Sequence, residues 1–163
     1  MSLWMEDFLW WCDESWISQT IQNSLWLFPV IEAVHLLGLA LLGGAILVTD
    51  LRMVGATLRS TPIVDVAHSA WRFMAVGIVV MLSTGIPLFM SEAFKCYGNT
   101  AFRVKMIGLV VILLFTFTVK RRYLFTRLSA DDKSLSSVGV TIGGISMVTW
   151  FVVAAAGRWV GFS

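Results

Sequence analysis

Charge is scarce in this chain. Asp, Glu, Lys and Arg make up 13 % of its 163 residues, about half of the roughly 25 % expected of a soluble domain, while apolar residues make up 58 %. An ordinary soluble fold is excluded, because a domain of this length has too little interior to hide so much apolar chain. Cysteine is scarce too. Cys12 and Cys96 are too few and too far apart for a metal knuckle, and they matter through topology alone, since a disulfide between them requires that both lie on an oxidising side. There is no Gly-rich phosphate loop, no nucleophile–base arrangement and no His-x-x-x-His, so an enzyme acting alone is not expected. The first 51 residues contain no Lys or Arg, and a cleaved signal peptide, which needs a basic start, is therefore not expected either.

What is present is a set of four runs free of charged residues, at 33–49, 73–91, 106–119 and 134–157. A helix rises about 1.5 Å per residue and the hydrocarbon of a bilayer is about 30 Å thick, so each run becomes a spanning candidate once flanking residues are added. The third is the shortest: Lys105 and Lys120 bracket only 14 residues, and both are expected to snorkel outward. The predicted fold is an all-α integral membrane four-helix bundle, one domain over 1–163, with spans near 25–53, 62–91, 100–122 and 138–160. Ser24 is a candidate cap for the first span, Thr61-Pro62 an N-cap and N1 pair for the second, and Asn99 a cap for the third. Pro87 is expected to free the Ser83 carbonyl and kink the second span. The last span is rich in Gly, Ser and Ala, which suits close helix packing in lipid, within the subunit or in an oligomer.

Residues 1–22 read as an interfacial amphipathic helix. Glu6, Asp7, Asp13 and Glu14 share an arc of roughly 120°, with Trp4, Phe8 and Trp11 opposite. Tryptophan suits the headgroup level because its ring is apolar and its N–H is not.

Loops 50–72 and 120–133 hold eight of the basic residues, Arg52, Arg59, Arg72, Lys120, Arg121, Arg122, Arg127 and Lys133. The positive-inside rule then places both termini outside, in a bacterial inner membrane. Topology and anionic lipid account for these cations without nucleic acid.

One stretch stands out chemically. On the first span Glu32, His35, Leu39, Gly43, Ile46 and Asp50 fall within roughly 80° of one another, at about 100° per residue. Ionisable side chains at membrane depth cost several kcal/mol unless they face protein or water. Orientation divides them into two layers. Asp50, Arg52, Asp65, His68 and Arg72 lie toward the inner face, where a mixed-sign cluster reads as structural. Glu32, His35, Lys105 and Arg158 lie toward the outer face, with His35 about 9 Å from the bilayer centre. His35 admits three functional readings: a haem axial ligand, a copper or zinc ligand with Glu32, or a proton relay with Glu32. The structural alternative is a neutral imidazole hydrogen-bonded to a neighbouring helix. His35 and His68 are about 30 Å apart along the normal, so one subunit cannot clamp one haem between them. Met90 and Met106 are the candidates for a second ligand.

The run Trp26-Leu27-Phe28-Pro29-Val30-Ile31-Glu32-Ala33-Val34-His35-Leu36-Leu37-Gly38-Leu39-Ala40-Leu41-Leu42-Gly43-Gly44, with Asp50-Leu51-Arg52-Met53-Val54-Gly55 and Gly98-Asn99-Thr100-Ala101-Phe102-Arg103-Val104-Lys105, resembles a family of uncharacterised bacterial four-helix membrane proteins. His-Leu-Leu-Gly followed by Gly-Gly in the first span, and a glycine then Lys105 opening the third, are more distantly similar to CopD copper-resistance domains and HemJ-type protoporphyrinogen oxidases. The HemJ resemblance implies haem b at His35, and the CopD resemblance implies copper. The outer loops lack the Met and His clusters that copper capture would use, which ranks copper below haem. The expectation taken forward is a non-catalytic haem b protein or electron-transfer subunit with His35 as axial ligand and Lys105 and Arg158 toward the propionates. The alternatives are a transporter or channel for a metal ion or small solute lined by Glu32, His35 and Asp50, and a structural subunit of a larger complex.

Overall fold

The computed structural model describes residues 3–127 and 137–159, and no strand occurs among them. Two short helices, α1 (Leu3–Glu14) and α2 (Trp16–Gln22), precede the long α3 (Leu27–Val54) and α4 (Ile63–Ser91). A short α5 (Ala93–Gly98) leads into a composite third rod made of α6 (Thr100–Phe115), a π-helical turn over Thr116–Lys120, and α7 (Arg121–Arg127). The last helix is α8 (Ser137–Trp159). Four helices are long and apolar enough to cross a membrane: α3, α4, the rod Thr100–Leu124, and α8. Most of the expected polar loop at 126–137, Lys133 included, lies outside the described residues.

Local chemistry sets the helix ends. Trp26, and not Ser24, stands at the N-cap of α3, and Ser24 Oγ accepts from the Trp26 and Leu27 amides at 3.4 and 3.3 Å in the turn before it. The Asn99 side chain caps α6 by accepting from the Ala101 and Phe102 amides. α4 begins at Ile63, one residue later than the Thr61-Pro62 signal suggests, and runs through Pro87 to Ser91. α3 ends at Gly55, whose φ of 78° is a left-handed conformation that favours glycine. The following loop is laced by arginines, Arg52 Nε donating to the Thr61 carbonyl at 2.8 Å and Arg59 Nε to the Gly55 carbonyl.

α3 is the hub. It packs along α4 and against α8, and α6 packs on α8. The α3–α4 crossing is close because glycine faces it from both sides: a Cβ at Gly77 would lie 2.8 Å from Leu42 Cβ, and one at Gly38 would lie 2.7 Å from Val80 Cγ1. The core of the bundle is Leu42, Ala45, Ile46, Ala70, Met74, Met81, Ile112 and Trp150. Outward positions such as Leu37, Val79, Ile107 and Val148 are exposed, the inverted pattern that a lipid environment covers.

The amino-terminal segment is two helices rather than one, broken at Ser15, whose side chain caps α2 by accepting from the Ser18 amide. α2 is pinned to the end of α4, with Ser18 Oγ donating to the Met90 carbonyl at 3.1 Å and Gln22 Nε2 to the Ser91 carbonyl at 3.0 Å. Leu9 and Cys12 pack with Met90 and Ala93 beneath them, and Trp4, Trp10, Trp11 and Trp16 face outward.

Candidate functional site

Asp50 is fully buried in the last two turns of α3, and its carboxylate is completely engaged. Lys120 Nζ donates to Oδ1 at 2.6 Å and Ser146 Oγ to Oδ2 at 2.7 Å. Three spanning segments therefore meet at one carboxylate. Ser146 reaches it because α8 is narrow at this height: a Cβ at Gly143 would lie 3.1 Å from the Asp50 carbonyl oxygen. Lys120 reaches it because of the π-helical turn. On a straight α-helix Lys120 falls roughly 80° round from the buried Ile112, and the i→i+5 turn over Thr116–Lys120 takes up an extra residue and carries the lysine back to the inward face. The expectation that Lys120 snorkels outward is thereby overturned, since its side chain is only 2 % exposed. The length of the third run carries a signal for it, because 14 residues cover about 21 Å of a roughly 30 Å core, which puts a bracketing lysine at a depth where it has either to snorkel or to find a partner.

Nearer the other end of α3, His35 is buried and its Nδ1 lies 2.8 Å from Thr84 Oγ1 on α4. The hydroxyl of Thr84 already donates to the Val80 carbonyl at 2.6 Å. Its oxygen is therefore the acceptor toward the ring, which assigns the proton to Nδ1 and leaves Nε2 with its lone pair. Gly85 makes room for the ring, as a Cβ there would lie 3.2 Å from His35 Cε1.

The remaining expected residues divide. The Lys105 stem runs over Gly157 of α8, with Cδ 3.5 Å from where a Cβ would be. Glu32 is half-buried one turn before His35, and Arg158 is exposed in the last turn of α8. In the inner set, Asp50 is not gathered with the others. Arg52 is buried against the Thr61 carbonyl, and Asp65, His68 and Arg72 are exposed along the first turns of α4. His68 lies sixteen residues before Thr84 on α4, about 24 Å along the helix, so His35 and His68 occupy opposite ends of the bundle. Met90 packs under α1, and Met106 is exposed.

Among the described residues no group of three His, Cys, Asp or Glu side chains could hold a metal ion, and copper or zinc ligation has no support there. Cys12 and Cys96 are buried free thiols. Burial pushes both above the ordinary thiol value, and Glu92 adds to the effect at Cys96. No curated protein and no solved structure matches the chain. A family model described as "Family of unknown function (DUF6644)" matches residues 8–163, nearly the whole length, and the chain belongs to that family.

Proposed function

We propose that this protein is a small multi-pass transporter for an ion or small solute whose path follows the inward stripe of α3. The observation that carries this reading is the buried Asp50–Lys120 pair with Ser146 as third partner. A buried ion pair is no more stabilising than well-packed apolar residues of the same volume, so bundle stability does not account for it, and intramembrane charges mark ion and substrate pathways by default. The stripe then has two stations. The lone pair on His35 Nε2 accepts a proton at one end, and Asp50 accepts one about 22 Å away, releasing Lys120 as its carboxylate is neutralised. Between them Leu42 and Ile46 are each only 2 % exposed, so passage requires the helices to move rather than an open pore. The positive-inside distribution sets the Asp50 end toward the cytoplasm of a bacterial inner membrane and both termini outside, and the small-residue surface of α8 suits self-association.

Reconstitution into liposomes carrying an internal pH dye, with tracer cations in parallel, tests this. Wild-type protein is expected to raise flux above protein-free vesicles, and His35→Ala and the paired Asp50→Asn with Lys120→Met are expected to abolish the rise. Equal flux with and without the protein, for protons and cations alike, overturns the reading.

A second reading rests on a different observation. The Thr84 bond orients the His35 ring and frees Nε2, the arrangement that second-shell bonding gives a metal-ligating histidine, and the HemJ-like stretch favours haem b. In that case His35 holds the group and Lys105 and Arg158 face its carboxylates, while bound haem supplies one-electron chemistry. Protein expressed with ample haem and purified in detergent should then show a Soret band that His35→Ala removes. Its absence from wild type eliminates this reading and leaves the first intact.

A further inference from the structure

A groove of about 480 Å³ runs down the flank of the bundle, lined by α3, α4 and the loop between them. Its floor is made of small side chains, with Ala40 and Gly44 from α3 and Ala70 from α4. Glycine inside a helix is unfavourable relative to alanine, and Gly38, Gly43 and Gly77 are each explained by a neighbour that approaches closely. Gly44 is not, because a Cβ there would meet nothing within 4 Å. The room that it leaves belongs to the groove and is open to whatever surrounds the bundle.

The polar end of the groove lies at the start of α4, where Thr61, Asp65 and Ser69 line it, and Asp65 is the charged residue among the described lining residues. Asp65 and Ser69 are exposed and Thr61 is half-buried, so oxygens are presented at the surface. None of the three side chains has a hydrogen-bond or ion-pair partner among the described residues. For Asp65 that is unexpected. The stretch 50–72 holds Arg52, Arg59 and Arg72, yet none of them pairs with it, and Arg52 and Arg59 turn their Nε groups to the Thr61 and Gly55 carbonyls. A carboxylate thus stands unpaired at the basic end of the bundle, over a groove whose walls include Leu41, Val48 and Phe73. Leu58 also lines this end, held at a φ of 53° that a leucine rarely adopts, and such strain clusters at ligand clamps. From Asp65 to Phe73 the groove follows eight residues of α4, about 12 Å, into the span.

We infer that this groove holds a phospholipid whose head carries a primary ammonium, with one acyl chain along the α3–α4 floor and the ammonium on Asp65. A primary ammonium has three N–H donors, and Asp65, Ser69 and Thr61 offer it acceptors. An anionic head is repelled by Asp65, and a trimethylated head has no N–H to donate. The source is the bilayer, because the groove lies on the outward flank of two helices long and apolar enough to span, with its polar end at a helix start, where headgroups lie. The site goes beyond the transport reading and stands without it, since binding needs no flux.

Native mass spectrometry of the delipidated full chain in detergent tests the site with four probes: dioleoyl phosphatidylethanolamine, phosphatidylcholine and phosphatidylglycerol, and dodecylammonium as a tailed cation without phosphate. One molecule of the ethanolamine lipid is expected to bind saturably, about tenfold tighter than the choline or glycerol lipid, as one hydrogen bond to a charged group provides. Asp65→Asn, which keeps the volume and removes the charge, should bring the ethanolamine lipid down to the level of the choline lipid. Gly44→Phe, which fills the groove away from Asp65, should abolish the saturable binding. Equal affinity for the choline lipid, tighter binding of the glycerol lipid, or unchanged affinity in either variant overturns the inference. Tighter binding of dodecylammonium than of the ethanolamine lipid overturns the lipid as occupant. Flux in the transport assay without lipid selectivity sinks only this site, and lipid selectivity without flux sinks only the transport reading.

Discussion

Lys120 Nζ and Asp50 Oδ1 lie 2.6 Å apart in the interior of the bundle although seventy residues separate them in the chain. Neither side chain is tolerable there alone. Removing one partner of a buried ion pair strands the other charge and costs about 3–5 kcal/mol, whereas exchanging both for apolar residues is often neutral or stabilising.

Lys120→Met alone is therefore expected to destabilise the protein by about 3–5 kcal/mol, lowering the thermal midpoint in detergent by about 10 °C for a chain of this size. Lys120→Met combined with Asp50→Leu should recover most of that loss. A double variant no more stable than the single one would mean that Ser146, and not Lys120, is the principal partner of the carboxylate.

The His35–Thr84 bond makes a spectroscopic prediction. With the Thr84 hydroxyl committed to Val80, ¹⁵N NMR of the labelled protein at neutral pH should show Nδ1 protonated and Nε2 bare. Thr84→Val removes the acceptor and should shift the population toward the other tautomer, at a stability cost of about 1 kcal/mol.

Cys12 and Cys96 carry a pH dependence whose sign is fixed by burial. Both thiols are held above their ordinary value, so the folded protein keeps them neutral where the unfolded chain ionises them. Their contribution to stability is intact below about pH 8.5 and is lost as pH rises beyond it. Chemical unfolding in detergent should accordingly give a lower midpoint at pH 9.5 than at pH 7.5, and Cys12→Ala with Cys96→Ala should flatten the difference. Maleimide labelling of the folded protein at pH 7.5 should be slow, and denaturation should release both thiols.

Glycines of the same composition are expected to behave oppositely. Gly77→Ala places a methyl 2.8 Å from Leu42 Cβ and 3.0 Å from its backbone Cα and N, forcing α3 and α4 apart at a cost of about 1–3 kcal/mol. A Cβ at Gly44 meets nothing within 4 Å, so Gly44→Ala should be neutral or raise stability by up to about 1 kcal/mol through helix propensity. Comparing the two thermal midpoints checks the crossing directly.

Much of the architecture was legible because membranes impose it. Four apolar runs long enough to span, Asn99 as the cap of α6, and a single ionisable stripe on α3 follow from burial and periodicity, which are local properties of the chain. The partners of that stripe were less legible. Height in the membrane groups Asp50 with Arg52 and the early α4 residues, whereas its partners come from the third rod and α8. Height is a one-dimensional coordinate, and it says nothing about azimuth.

The sequence by itself therefore determined that this is an all-helical chain with four apolar spanning candidates and an inward face on α3, because hydrophobic length and period are written residue by residue. Tertiary structure alone decided which residues meet that face. A π-helical turn rotates Lys120 inward, Gly143 lets Ser146 approach Asp50, and Thr84 assigns the proton on His35. Each depends on the rotation of one helix against another, a quantity that no single segment encodes.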